Sequence, residues 1–204
     1  MRARPCLSTS NGEMTMLYLA YGSNLNKRQM ARRCPGAVPI GTVVVPDMRL
    51  VFRGVADIEE AEGHNLHCGV WRITKACERA LDIYEGVSSG LYVREFKVLC
   101  LTQPDGSEAI EDALIYRMQA SYYAAPGIEY LASIREGYHD FGLPTLALAT
   151  ALDHVAACDE DQLCGRSSRR HKPSRTKPRS GRGVAPRQPV HGRRMAQARN
   201  QPEF

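Results

Sequence analysis

The chain has 204 residues, 43% of them hydrophobic and 24% charged, which is ordinary usage for a folded domain and excludes a wholly disordered or collagen-like chain. No run approaches 18 consecutive apolar residues, so a membrane-spanning helix is excluded, and the early arginines Arg2 and Arg4 are not followed by the apolar stretch of a secretory signal. The net charge of +5 averages two unlike parts: residues 165–204 carry twelve Lys and Arg against one acid, Glu203, while the first 164 residues carry fifteen basic and twenty-one acidic side chains.

Residues 1–15 are polar and aperiodic and read as a flexible lead, with Met14 or Met16 as alternative starts. Structure is expected to begin at Met16, where Met16–Tyr21 is a short apolar run typical of a buried strand. Gly22-Ser23-Asn24 breaks it, and a short helix follows over 26–33 with Leu25, Met30 and Cys34 facing inward. Two strands are expected at Val43–Val45 and Met48–Phe52, then an acidic loop over 54–65, then a strand from Leu66 to Ile73. Thr74 is an N-cap for a helix through Tyr84, with Cys77, Ala80, Leu81 and Tyr84 on one face.

Leu91–Leu101 and Ile110–Met118 flank Pro104-Asp105-Gly106 as a hairpin. Pro126 opens a helix as its first residue, with Ile128, Leu131, Ile134 and Tyr138 as its apolar face. Gly142-Leu143-Pro144 ends it, and a last helix covers 145–156. Beyond Gly165 bulky apolar residues almost vanish, so the segment has too little to bury to offset its ordering entropy and reads as disordered. The domain plan is a lead over 1–15, a folded α+β unit over 16–156 and a basic tail over 157–204.

Several features bear on chemistry. Tyr21-Gly22-Ser23-Asn24-Leu25 carries a strand into a helix through a glycine-containing turn, which can aim backbone N–H groups at an anion; the plain structural reading is an N-capped strand-to-helix turn. Glu85 ends an amphipathic helix beside Gly86, where the negative end of the helix dipole and partial burial both raise a carboxyl pKa and suit proton transfer; the plain reading is a solvated last-turn glutamate. His64, His67 and Cys68 suggest metal, but no second cluster stands at zinc spacing, and no metal site is expected. Seven scattered cysteines, none in a C-x-x-C pair, point to reduced thiols and a cytoplasmic setting. The basic segment 165–204 suits weak contact with nucleic acid or another polyanion, or is a solvated extension.

Taken together, Leu17–Leu25, Gly69-Val70-Trp71, Leu81-Asp82 with Glu85-Gly86 and Gly90, Tyr92 and Arg94, and Ile134–Gly137 with Gly142-Leu143-Pro144 resemble the γ-glutamylcyclotransferase family over residues 16–156. The resemblance implies a small mixed β-barrel or sheet with packed helices, and a cavity between the Tyr-Gly-Ser-Asn loop and the glutamate. It implies that Tyr21, Gly22, Ser23, Asn24 and Leu25 bind a small-molecule γ-glutamyl substrate, largely through backbone amides. Tyr92 matches a family tyrosine near the substrate, and Glu85 matches the catalytic acid/base. The implied reaction closes the γ-glutamyl group to 5-oxoproline, releases an amino acid or amine, and needs no cofactor. The alternative is a non-enzymatic cyclotransferase-like binding module whose tail holds a polyanion. Tyr138 stands where the family often has a small residue, and the apolar Thr145–Leu152 stretch departs from the family pattern. The oligomeric state is not legible.

Overall fold

The computed structural model describes residues 8–10, 13–102 and 108–168. Six strands form one mixed sheet: β1 (Ser8–Ser10), β2 (Glu13–Ala20), β3 (Val38–Phe52), β4 (Ala56–Thr74), β5 (Tyr92–Thr102) and β6 (Glu108–Met118). The order is β3-β4-β2-β6-β5, with β1 paired to β2. Four helices accompany it: α1 (Lys27–Arg33), α2 (Lys75–Tyr84), α3 (Ile128–Phe141) and α4 (Leu146–Ser168). The fold is α+β, and of the two expected forms, barrel or sheet, it is an open sheet ending at β3 and β5.

β2 lies at the centre, and this explains its near-continuous apolar run. Met16 to Tyr21 are all buried, because β4 pairs with it antiparallel on one side and β6 parallel on the other. Helix α2 begins as its sequence predicts: the Cys77 amide donates to Thr74 Oγ1 over 3.3 Å.

The structure corrects several sequence-based expectations. Pairing starts ahead of Met16, since Ser8–Ser10 pairs with Glu13–Thr15; backbone ladders do not need apolar side chains. The two strands expected at 43–52 are one strand, β3, with a bulge where Asp47 takes φ 55° and its carboxylate accepts from the Gly63 amide at 2.9 Å.

The acidic stretch 54–65 is largely strand rather than loop. Two of its acids are held by arginines of β3 and the turn that follows it: Arg53 Nε donates to Asp57 Oδ2 at 2.7 Å and its Nη2 to Glu59 Oε2 at 2.9 Å, while Arg49 Nε donates to Glu59 Oε1 at 2.9 Å. Asp57 is thereby fully buried, and its other oxygen accepts from the Met118 amide.

Helix α3 starts two residues later than expected: Gly127, with no side chain to cap it, is the N-cap, and its carbonyl accepts the first helical bond from the Leu131 amide at 2.9 Å. Ile128 then faces solvent, 87% exposed, while Ile134 and Tyr138 are buried. Tyr138 fills its place completely, and its hydroxyl has no partner among the described residues. Helix α4 passes the expected stop at 156 and runs to Ser168, its residues 146–164 free of glycine and proline. Leu148, Ala151 and Val155 form its buried stripe. The remaining tail, the Pro104–Gly106 turn and Cys164's side chain lie outside what is described. Cys34, Cys68 and Cys77 are buried free thiols.

Candidate active site

The turn after β2 is built by its neighbours. Ser23–Leu25 is one 3₁₀ turn, with the Leu25 amide bonded to Gly22 O at 3.0 Å and the Asn26 amide to Ser23 O at 3.1 Å. Asn26 caps α1 by accepting from the Gln29 amide at 3.0 Å. Beneath the turn, Trp71 Nε1 donates to Asn24 O at 3.1 Å. Gly69 and Gly137 lie against Leu25, and a β-carbon at Gly69 would come within 2.8 Å of its side chain. The scattered motif residues of β4 and α3 are therefore the bed on which the loop rests.

Glu85 arrives from the other side. Its amide closes α2 onto Leu81 O at 2.8 Å. Gly86 then takes φ 64°, a left-handed conformation that ends the helix and leaves Glu85 on its last turn. Thr74 at one end and Gly86 at the other thus set the length of α2 and the place of the carboxylate.

Loop and glutamate meet in a cavity of about 140 Å³, lined also by Val55, Ala56 and several tyrosines. Asn24 joins the two. Its Nδ2 donates to Glu85 Oε1 and to Tyr18 OH, both at 2.8 Å. Burial pushes the Glu85 carboxyl up from 4.5 to about 7, against the Asn24 hydrogen bond and the nearby Arg33 charge, which both lower it. The carboxyl is thus poised to gain or lose a proton near neutrality.

Of the residues expected from the sequence, Tyr21, Gly22, Ser23, Asn24, Glu85 and Tyr92 all line this cavity. Leu25 does not; it is fully buried beneath the loop, and its amide is already spent in the turn. Two of the tyrosines are committed to the frame: Tyr21 OH donates to Tyr116 O and Tyr92 OH to Ala56 O, each at 2.7 Å. Gly22 has a steric reason, since a β-carbon there would meet Ala56 Cβ at 3.0 Å. Arg94, part of the glutamate motif, grips Asp82 through Nε at 2.7 Å and Glu78 through Nη1 at 3.0 Å, tying β5 to α2.

Sequence reasoning missed Tyr84, Tyr130 and Arg33. Tyr84 was expected on the buried face of α2; it is 47% exposed and stands at the cavity wall. Tyr130 reaches in from α3, its hydroxyl accepting from the Ala56 amide at 3.1 Å. Arg33 recurs seven residues after Asn26, on the face of α1 that turns back toward the loop; that spacing was the available signal. His64 and His67 line a separate cleft of about 220 Å³ with Arg49 and His154. Among the described residues no three His, Cys, Asp or Glu converge on one point.

Comparison with known proteins assigns the chain to a family. The family model described as gamma-glutamyl cyclotransferase, AIG2-like, matches residues 18–138. This chain belongs to that family. Gamma-glutamylcyclotransferase of Bos taurus is 33% identical over 150 residues, 68% of this chain and 77% of its own length. That of Homo sapiens is 32% identical over 148 residues, 67% of this chain and 77% of its own. A solved gamma-glutamyl cyclotransferase structure superposes with TM-score 0.55 at 26% identity, covering 70% of this chain and 87% of that one. The matched span takes in both sides of the cavity, the Tyr-Gly-Ser-Asn turn and Glu85.

Proposed function

We propose that this cyclotransferase family member converts a γ-glutamyl amino acid to 5-oxoproline and a free amino acid, with Glu85 as its proton carrier. The observation that carries the reading is the cavity itself: one carboxyl with its pKa raised to about 7, bonded to the loop that closes the opposite wall.

The chemistry asks little more. The substrate's α-amine attacks its own γ-carbonyl carbon, forming the lactam C–N bond; the amide C–N bond to the leaving amino acid then breaks. Nucleophile and electrophile belong to one molecule, so the task is to hold the folded conformer. No nucleophilic side chain and no cofactor are required by the bonds that change. The attacking nitrogen starts as an ammonium of pKa about 8 and ends as the lactam N–H, so it sheds two protons, one before attack and one after the C–N bond forms, while the departing nitrogen gains two and leaves as an ammonium. Glu85 takes each proton from the first nitrogen and passes it to the second. Gly22, Ser23 and Asn24 line the cavity, and amide N–H groups of such a turn suit both a substrate carboxylate and the oxyanion that develops on the γ-carbonyl. Tyr21, Tyr92 and Tyr130 shape the walls. Leu25 supports the loop from beneath.

A pure binding module has little need of a glutamate at this position, which favours the enzymatic reading. The free buried thiols support a reducing, cytoplasmic setting.

The test is 5-oxoproline release from γ-glutamyl amino acids, γ-glutamylamines and glutathione, with Glu85→Gln in parallel. Release from γ-glutamyl amino acids, lost in a folded Gln variant, is expected. Undiminished release by that variant would remove Glu85 from the mechanism.

A further inference from the structure

Arg33 ends α1 beside the cavity, and its bonds are unusual for a last-turn arginine. Such a residue ordinarily extends to water or to the carbonyls of its own helix. Arg33 instead folds back over the loop. Its Nη1 donates to Asn24 Oδ1 at 2.6 Å and Ser23 Oγ at 3.2 Å; its Nη2 donates to Tyr84 OH and Gln29 Oε1, both at 2.6 Å. The guanidinium also stacks on the Tyr84 ring, 3.7 Å from its centre. All four acceptors are neutral oxygens, so these bonds organise the site without cancelling the charge.

The consequence runs through Asn24. A primary amide accepts on oxygen and donates on nitrogen. With Oδ1 taken by Arg33, both Nδ2 hydrogens point the other way, to Tyr18 OH and Glu85 Oε1. The flipped amide would set oxygen against the Glu85 carboxylate and N–H groups against the guanidinium, repulsive on both sides.

We propose that Arg33 is a positioning residue of this active site, holding the Asn24 amide in the orientation that donates to Glu85 and keeping one positive charge beside that carboxylate. The proposal rests on the reading of Glu85 as the proton carrier. The phenols that interact electrostatically with Glu85 are those of Tyr18 from β2, Tyr21 just after it, Tyr92 from β5, Tyr116 from β6 and Tyr130 from α3, and burial pushes the pKa of each upward, so they stay neutral. Arg33 is the charged member of the group, and it opposes the burial that raises the Glu85 carboxyl.

The test compares full-length wild type, Arg33→Gln, Arg33→Lys and Glu85→Gln by ¹³C-carboxyl NMR titration, which needs no substrate, and by the pH profile of kcat/KM with γ-glutamylalanine. Glu85→Gln identifies the resonance. In Arg33→Gln the Glu85 midpoint should rise by about one pH unit, and the acid limb of the profile should move with it, so the loss is larger at low pH than at high pH. Arg33→Lys keeps the charge but cannot span Asn24 and Tyr84 together; it should shift the midpoint less and lower kcat roughly tenfold or more.

An unmoved midpoint in folded Arg33→Gln would overturn the proposal, as would a uniform loss with no movement of the limb. Should the Gln variant not fold, wild-type midpoint and kcat in Arg33→Lys would overturn it equally. A shifted midpoint in a protein that turns over no γ-glutamyl compound would support the coupling of Arg33 to Glu85 while defeating the cyclotransferase reading on its own.

Discussion

Gly137 of α3 lies so close to Leu25 that a β-carbon at position 137 would come within 2.5 Å of Leu25 Cβ and 2.7 Å of the Asn26 backbone nitrogen. The contact is helix against backbone turn, with no flexible side-chain end to give way. It decides how near α3 sits to the loop that carries Asn24.

Gly137→Ala should therefore cost about 1–3 kcal/mol by overpacking, despite alanine's better helix propensity. A urea denaturation midpoint measures the loss. Turnover should fall as well, because the displaced turn carries Asn24 away from Glu85. A variant as stable and active as wild type would show that α3 can back away freely.

Glu85→Gln should stabilise the fold above pH 7. The folded carboxyl is raised from 4.5 to about 7, so the wild-type fold is most stable below the ordinary carboxylate pKa and loses stability as pH rises through about 7. The loss is about 2 kcal/mol once water at the cavity mouth is allowed for. Glutamine carries no such cost. The two proteins should match near pH 4.5 and diverge by pH 8 in chemical denaturation; equal stability at both values would show that the carboxyl is solvated.

The acid limb of kcat/KM should fall near pH 7, where free-enzyme Glu85 loses its proton and becomes able to accept one from the substrate ammonium. A limb at the usual carboxylate range, about 4.3, would mean that burial does not raise Glu85.

Tyr92→Phe and Tyr130→Phe each remove one bond to Ala56, the first from its carbonyl and the second from its amide. Each should cost about 1–2 kcal/mol in stability and raise KM through a loosened wall. Because both act on one residue, the double variant should show a coupling of at least about 0.5 kcal/mol. Strict additivity would argue that the two bonds are independent.

The short-range features were legible and the long-range ones were not. The Thr74 cap, the inward-facing Leu25, Met30 and Cys34 in and around α1, and the β5–β6 pairing follow from local spacing, and the structure has them all. The Tyr-Gly-Ser-Asn turn and Glu85 stood out as motifs, and their meeting in one cavity needed the fold. The 54–65 stretch misled because its charges resemble a solvated loop, whereas Arg49 in the partner strand and Arg53 just past its end pair with Asp57 and Glu59. Tyr84 misled because helical periodicity places a ring on a face but does not say where that face stops being covered. Leu25 belongs to the motif for packing, which a motif alone does not separate from binding.

The clasp on Ala56 bears on how activity appears during folding. Tyr92 reaches it across 36 residues of chain and Tyr130 across 74, so the cavity wall at Ala56 is completed only when the β3–β4 hairpin, β5 and α3 have all docked. A partly folded chain can hold the motif residues in near-native local shape and still have no pocket. Appearance of turnover on refolding should accordingly lag behind the recovery of strand and helix signals, and report closure of the whole domain.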